Sequence, residues 1–213
     1  MKFGVLGTGM VGLAISSRLA ELGHEVMIGT RDTSKSADKL TSRNEAVKAG
    51  TFAEAAAFGE ILFNATNGAG SLEALKLAGE SNLNGKTLVD VSNPLDFSKG
   101  MPPALFVMNT DSLGEQIQRA FPNVRVVKTL NMVNANIMVK PREVGGGDHD
   151  MFVCGSDADA KEAVMGILRE FGWMRITDLG DITAARGMEM YLPLWLRLWG
   201  ALGTGLFNVK IVR

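Results

Sequence analysis

The sequence predicts a doubly wound α/β fold, a mainly parallel sheet wrapped by helices, with a helical segment at the C-terminus. Three observations predict it. Short, continuous apolar runs alternate with longer mixed segments, as expected of strands covered on both faces. The first run ends in a glycine-punctuated turn, "GTGMVG", that opens a helical pattern. After Asp178 the alternation gives way to a tail rich in Met, Trp and Leu.

The elements follow in order. Strands are expected at Lys2 to Gly7, Glu25 to Gly29, Ile61 to Thr66, Thr87 to Val91, Arg125 to Thr129, Met151 to Gly155 and Met174 to Thr177. Each is a brief run of apolar and β-branched residues bounded by turn formers. Helices are expected at Val11 to Leu22, Gly70 to Ala78, Ser112 to Phe121 and Ala158 to Phe171. Residues 1–178 would form the nucleotide-binding domain, and 179–213 a helical segment packed on it. The tail contains "YLPLWLRLWGALGTGLFNV", Tyr191 to Val209, with a single charge at Arg197. Its length is marginal for a span, and Arg197 near its middle would be costly in lipid. A buried helix and a subunit contact are the expectation, hence a homodimer.

Bulk properties narrow the function. The chain has 213 residues, 46% of them hydrophobic, and a net charge of -1. That supports a sizeable core and gives no electrostatic basis for a nucleic-acid or membrane-surface partner. A single cysteine, Cys154, excludes an internal disulfide and suits a reducing cytoplasm. It stands in the apolar run "MFVCG", where a buried, inert thiol is expected. The N-terminal apolar run is too short for a signal peptide and reads as the first strand. "GGGDHD", Gly145 to Asp150, reads as a glycine-rich loop rather than a metal site.

The glycine turn carries the chemistry. Gly7, Gly9 and Gly12 form G-x-G-x-x-G between a strand and a helix, with Thr8, Met10 and Val11 between them. Gly7 would permit the tight turn, Gly9 the approach of a pyrophosphate, and Gly12 close packing of helix on strand. Free N–H groups at the helix start would then face the anion. This is a Rossmann-type dinucleotide site. Selection of NAD would place an acid at the end of the second strand, to accept from a ribose diol. Here Thr30 and Arg31 stand there, with Lys35 close by, a set suited to the 2′-phosphate of NADP(H). Two further strand ends, Thr66–Asn67 and Asn93–Pro94, place small or polar residues where the nicotinamide half would lie. Asn-Gly and Asn-Pro are also ordinary turn formers.

The chain resembles the F420-dependent NADP oxidoreductases along most of its length. "GTGMVG", "IGTRD", "VSNPLDF", "VVKTLNMVNANIM", "MFVCGSDADAK", "FGWMRITDLGDITAARGMEM" and "LWLRLWGALGTGLFNVKIVR" carry the likeness. It is also similar to the cytosolic domain of metalloreductases that pass hydride from NADPH to a flavin. The resemblance implies hydride transfer between a nicotinamide and a small-molecule redox substrate, coenzyme F420 or a flavin. It implies that Gly7 to Gly12 with Thr30, Arg31 and Lys35 hold NADP. It places Asn131, Met132, Val133 and Ala135, with Asn93 and Pro94, around the second ring. Archaeal members carry histidine where Asn131 stands, so the acceptor stays open between the two rings. A reductase of small imines or carbonyls and a non-catalytic NADP-sensing module are the competing readings.

Overall fold

The chain is described by a computed structural model over residues 1–31 and 46–213. β1 (Lys2–Leu6) leads through α1 (Met10–Glu21) to β2 (Glu25–Thr30), parallel beside it. β3 (Val47–Thr51) pairs with β2 at the sheet edge. α2 (Phe52–Phe58) then carries the chain back across β1 to β4 (Ile61–Asn64), on β1's other side. α3 (Ser71–Ala78) and α4 (Glu80–Leu83) connect to β5 (Thr87–Asp90). A small antiparallel pair, β6 (Leu95–Asp96) and β7 (Ala104–Leu105), precedes α5 (Leu113–Ala120) and β8 (Arg125–Thr129). α6 (Ala135–Val139), β9 (Asp150–Cys154), α7 (Ala158–Phe171) and β10 (Arg175–Asp178) follow. α8 (Ala185–Met190) and α9 (Leu192–Leu202) form the tail.

The strand order is β10-β9-β8-β5-β4-β1-β2-β3. The order reverses between β1 and β4, and a crevice opens there outside the carboxyl ends of both strands. Successive side chains alternate between faces. Phe3, Val5, Phe63, Val89 and Val127 pack with Ile15 and Leu19 of α1 and with Val164 and Leu168 of α7. Leu6, Leu62, Leu88 and Val126 point the other way, onto Ala55 of α2, Leu75 of α3 and Ile117 of α5. Burying both faces requires the near-continuous apolar runs that made these strands visible in the sequence.

All seven strands read from the sequence are present, within a residue or two at their ends. Two departures have physical causes. β3 and α2 have no counterpart among the expected elements. β3 is an edge strand reading VKAGT, with only its first and fourth residues buried, so its apolar signal is thin. α2 is seven residues and announces itself by chemistry rather than period: Thr51 and Glu54 form a reciprocal capping box. The second departure is direction. β9 runs antiparallel to β8, with β10 parallel to β9. Only the five-residue α6 and short 3-10 turns separate β8 from β9. No helix long enough to recross the sheet lies between them, and the chain enters β9 running back along β8.

Candidate functional site

Two joined lobes occupy the crevice. The outer lobe, about 650 Å³, is lined by Gly7, Thr8 and Gly9, by Thr30 and Arg31 at the end of β2, and by residues of the β4–α3 segment. The inner lobe, about 170 Å³, is lined by Val11, Val91, Ser92, Asn93, Leu95 and Phe97, among others. Ala65, Thr66 and Asn67 line both, so the two form one path across the sheet edge.

Each glycine in the first turn has its own constraint. Gly7 has φ +118°, and a Cβ there would lie 2.6 Å from the Ala65 carbonyl oxygen. A Cβ on Gly12 would lie 1.9 Å from the Gly7 carbonyl oxygen, so helix and turn touch through backbone alone. Gly9 differs: nothing lies within 4 Å of an added Cβ, which would project into open space. Gly9 is also the N-cap of α1, where no side chain caps the helix and no acid stands in the first turn. The helix start therefore offers unpartnered N–H groups and an undiluted positive dipole end. This cradle fits a pyrophosphate.

Thr30 is buried at the end of β2, and Arg31 beside it is exposed at the lobe's margin. Lys35 lies outside the described residues. Met10 is exposed at the start of α1, while Val11 turns toward the inner lobe.

Beneath the crevice lies a chain of buried polar groups. The Thr66 hydroxyl donates to Asn64 Oδ1 at 2.6 Å, and Asn64 Nδ2 donates to Asp90 Oδ1 at 2.9 Å. Asp90 Oδ2 pairs with Lys128 Nζ at 2.8 Å, and Lys128 also meets Glu189 Oε1 at 2.8 Å. Lys128 Nζ donates to the Ser92 carbonyl at 2.6 Å as well. Burial alone would push the Lys128 ammonium down, but Asp90 and Glu189 outweigh it and hold its pKa above the ordinary lysine value. Glu189 in turn accepts from the Leu113 and Gly114 N–H groups, at 2.8 and 3.0 Å, at the start of α5.

A second link binds the strand ends. Asn93 Nδ2 donates to the Asn131 carbonyl at 2.8 Å, and Asn131 Nδ2 donates to Asn93 Oδ1 at 2.9 Å and to the Met188 carbonyl at 3.1 Å. Two acceptors thus fix the orientation of the Asn131 amide, and its Oδ1 is buried without a partner among the described residues. Leu130, at φ +62°, centres the sharp turn from Thr129 to Asn131 that aims this residue. Asn131, Met132, Val133 and Ala135 are all buried, as is Pro94, and none of them lines either lobe. Asn131 is joined to the inner lobe through its hydrogen bonds with Asn93.

Residues 2–94 match the family described as NADP oxidoreductase, coenzyme F420-dependent. A solved structure of a candidate F420-dependent NADP reductase from Arthrobacter sp. FB24 is 55% identical, covers 100% of both chains and superposes with a TM-score of 0.98. The F420-dependent NADP reductase of Methanothermobacter marburgensis is 29% identical over 209 residues, 93% of this chain and 92% of its own. The chain belongs to the F420-dependent NADP oxidoreductase family. Rat metalloreductase STEAP3 is 30% identical over 212 residues, 97% of this chain but 40% of that protein's length.

Membership makes the protein an NADP-dependent oxidoreductase with a Rossmann-type sheet, and the glycine cradle fits that cofactor. Sequence reasoning found the turn, the end of β2 and the ends of β4 and β5. It missed Phe52, Glu73, Ala74 and Leu77, which wall the outer lobe, and Leu95 and Phe97 at the inner one. Their signal is topological: they line the site because α2, α3 and the loop after β5 end there, and no motif marks them. It also missed the partnership of Lys128 with Glu189, which are 61 residues apart in sequence.

Proposed function

We propose that the protein transfers hydride between NADP(H) and a deazaflavin, coenzyme F420, or a flavin. The observation that carries this reading is the inner lobe, which continues the pyrophosphate cradle and ends at the exposed ring of Phe97. Bound NADPH supplies the hydride. The chain's own part is to hold and align. The turn from Gly7 to Gly12 grips the pyrophosphate through backbone N–H groups. Thr30, Arg31 and Lys35 take the 2′-phosphate. Thr66, Asn67, Asn93 and Pro94 support the nicotinamide half. Asn131, Met132, Val133 and Ala135 back the acceptor side, with Asn131 acting through Asn93. Val11, Leu95 and Phe97 offer apolar surface on which two flat rings can stack and exclude water. Alignment of this kind supplies a large share of the rate for reactions whose chemistry resides in the cofactors.

Residues 1–178 form the NADP-binding unit in this reading, and 179–213 dock on it. The exposed apolar face of α9 would be covered by a second copy, giving a homodimer in a reducing cytoplasm. The test is NADPH consumption under anaerobic conditions with coenzyme F420, FMN, FAD and riboflavin. Acceptor-dependent oxidation is expected. Stoichiometric NADPH binding without turnover on any ring would replace the enzyme reading with a sensing one.

A further inference from the structure

The lining of the outer lobe is not polar throughout. Phe52, Ala74 and Leu77 form an apolar wall there. Phe52 is buried, and Leu77 is half exposed although it is a large apolar residue. Ala74 and Leu77 lie three apart on α3, on one side of the helix. Glu73 is exposed and lines the same lobe, together with Asn67, Ala69 and Gly70. Its carboxylate makes no ion pair and no hydrogen bond among the described residues.

An apolar slot with one carboxylate at its margin has a definite chemical complement. It suits a flat heterocycle that presents an N–H donor at its edge. In the dinucleotide that the proposed function places here, the base beyond the phosphorylated ribose is adenine, and its exocyclic amine is such a donor. We propose that Glu73 is a specificity-determining residue that reads the adenine amine, with Phe52, Ala74 and Leu77 as the surface on which the base lies. The inference rests on the NADP reading of the crevice. A carboxylate in the first turn of α3 also favours the helix dipole. That role is indifferent to the base, so the two roles predict different results.

The discriminating ligand is the hypoxanthine analogue of NADPH. It carries a carbonyl oxygen where adenine carries the amine, and a carboxylate repels that oxygen. Equilibrium binding of both dinucleotides is measured by nicotinamide fluorescence on the full chain, on Glu73→Gln and on Glu73→Ala. The unaltered protein is expected to favour NADPH by about tenfold, the loss of one charge-assisted hydrogen bond. Glu73→Gln should bring the ratio close to one, because an amide can face either base. Glu73→Ala should weaken NADPH more than the analogue. A ratio near one in the unaltered protein, or a ratio that neither substitution changes, overturns the assignment while leaving the NADP reading intact. If neither dinucleotide binds, the NADP reading falls and this inference falls with it.

Discussion

Gly9 and Gly12 stand three residues apart in one motif, yet they should fail in different ways. A side chain at Gly9 meets only open space, and the residue has φ -74°, which any amino acid can adopt. Gly9→Val should therefore keep the fold by circular dichroism and lose NADPH binding, because its methyl groups stand where the pyrophosphate belongs. Gly12→Ala should damage the fold itself, since its Cβ would collide with the Gly7 carbonyl. A folded Gly9→Val protein that binds NADPH normally would refute the cradle. Arg31 gives a second contrast. Arg31→Ala should weaken NADPH by about 1.5 kcal/mol, the low end for a charge-assisted bond at an exposed position, and leave NADH nearly unchanged. Calorimetric titration showing equal losses for both cofactors would remove Arg31 from the phosphate site. Cys154 needs no such test of function: burial holds its thiol up at about 12, far from a reactive thiolate.

At the scale of elements, the buried lysine links three segments that the sequence presents as unrelated. Lys128 on β8, Asp90 on β5 and Glu189 on α8 are all almost fully enclosed. Lys128→Met would leave two carboxylates without their cation in a low-dielectric interior. A loss of about 3–5 kcal/mol in urea unfolding is expected, the range for breaking a buried pair from one side. A change under 1 kcal/mol would mean that water reaches these groups. This cluster also marks where sequence reading stopped. The strands were legible because β4 and β5 are buried on both faces, and Leu62, Phe63, Leu88 and Val89 inside them read as short apolar runs. The glycine turn was legible because backbone contact demands glycine. Lys128 reads as one charge at the end of an apolar run, and Glu189 as one acid in a methionine-rich helix. Nothing local says that they meet. β3 escaped for a different reason: an edge strand is solvated along one side, so its residues need not be apolar.

For the whole molecule, the question is what covers the tail. α9 has 11 residues and ends at Gly203 in a left-handed conformation, so the apolar stretch is broken well short of a bilayer's thickness. No helix among the described residues is long and apolar enough to cross a membrane. Within the chain Trp195 stacks on Phe207, with ring centroids 5.5 Å apart. Leu194, Trp199, Leu202 and Leu206 nonetheless remain exposed. A further cavity of about 670 Å³ lies between Met101, Pro102 and the last turns of α9. Light scattering without detergent should give the mass of a dimer. Truncation after Gly187 should give an aggregating or monomeric protein that no longer oxidises NADPH. A truncated protein that keeps both its mass and its rate would show that the tail is dispensable.

The same truncation would remove Glu189, and this bears on how the protein is made. Lys128 emerges from the ribosome 61 residues before the carboxylate that completes its neutralisation. Until then β8 carries a cation met by Asp90 and the Ser92 carbonyl, and the start of α5 lacks the acceptor for its first N–H groups. The sheet therefore depends on a segment far along the chain to neutralise its interior. Its buried charge is balanced only once α8 has brought Glu189 onto it.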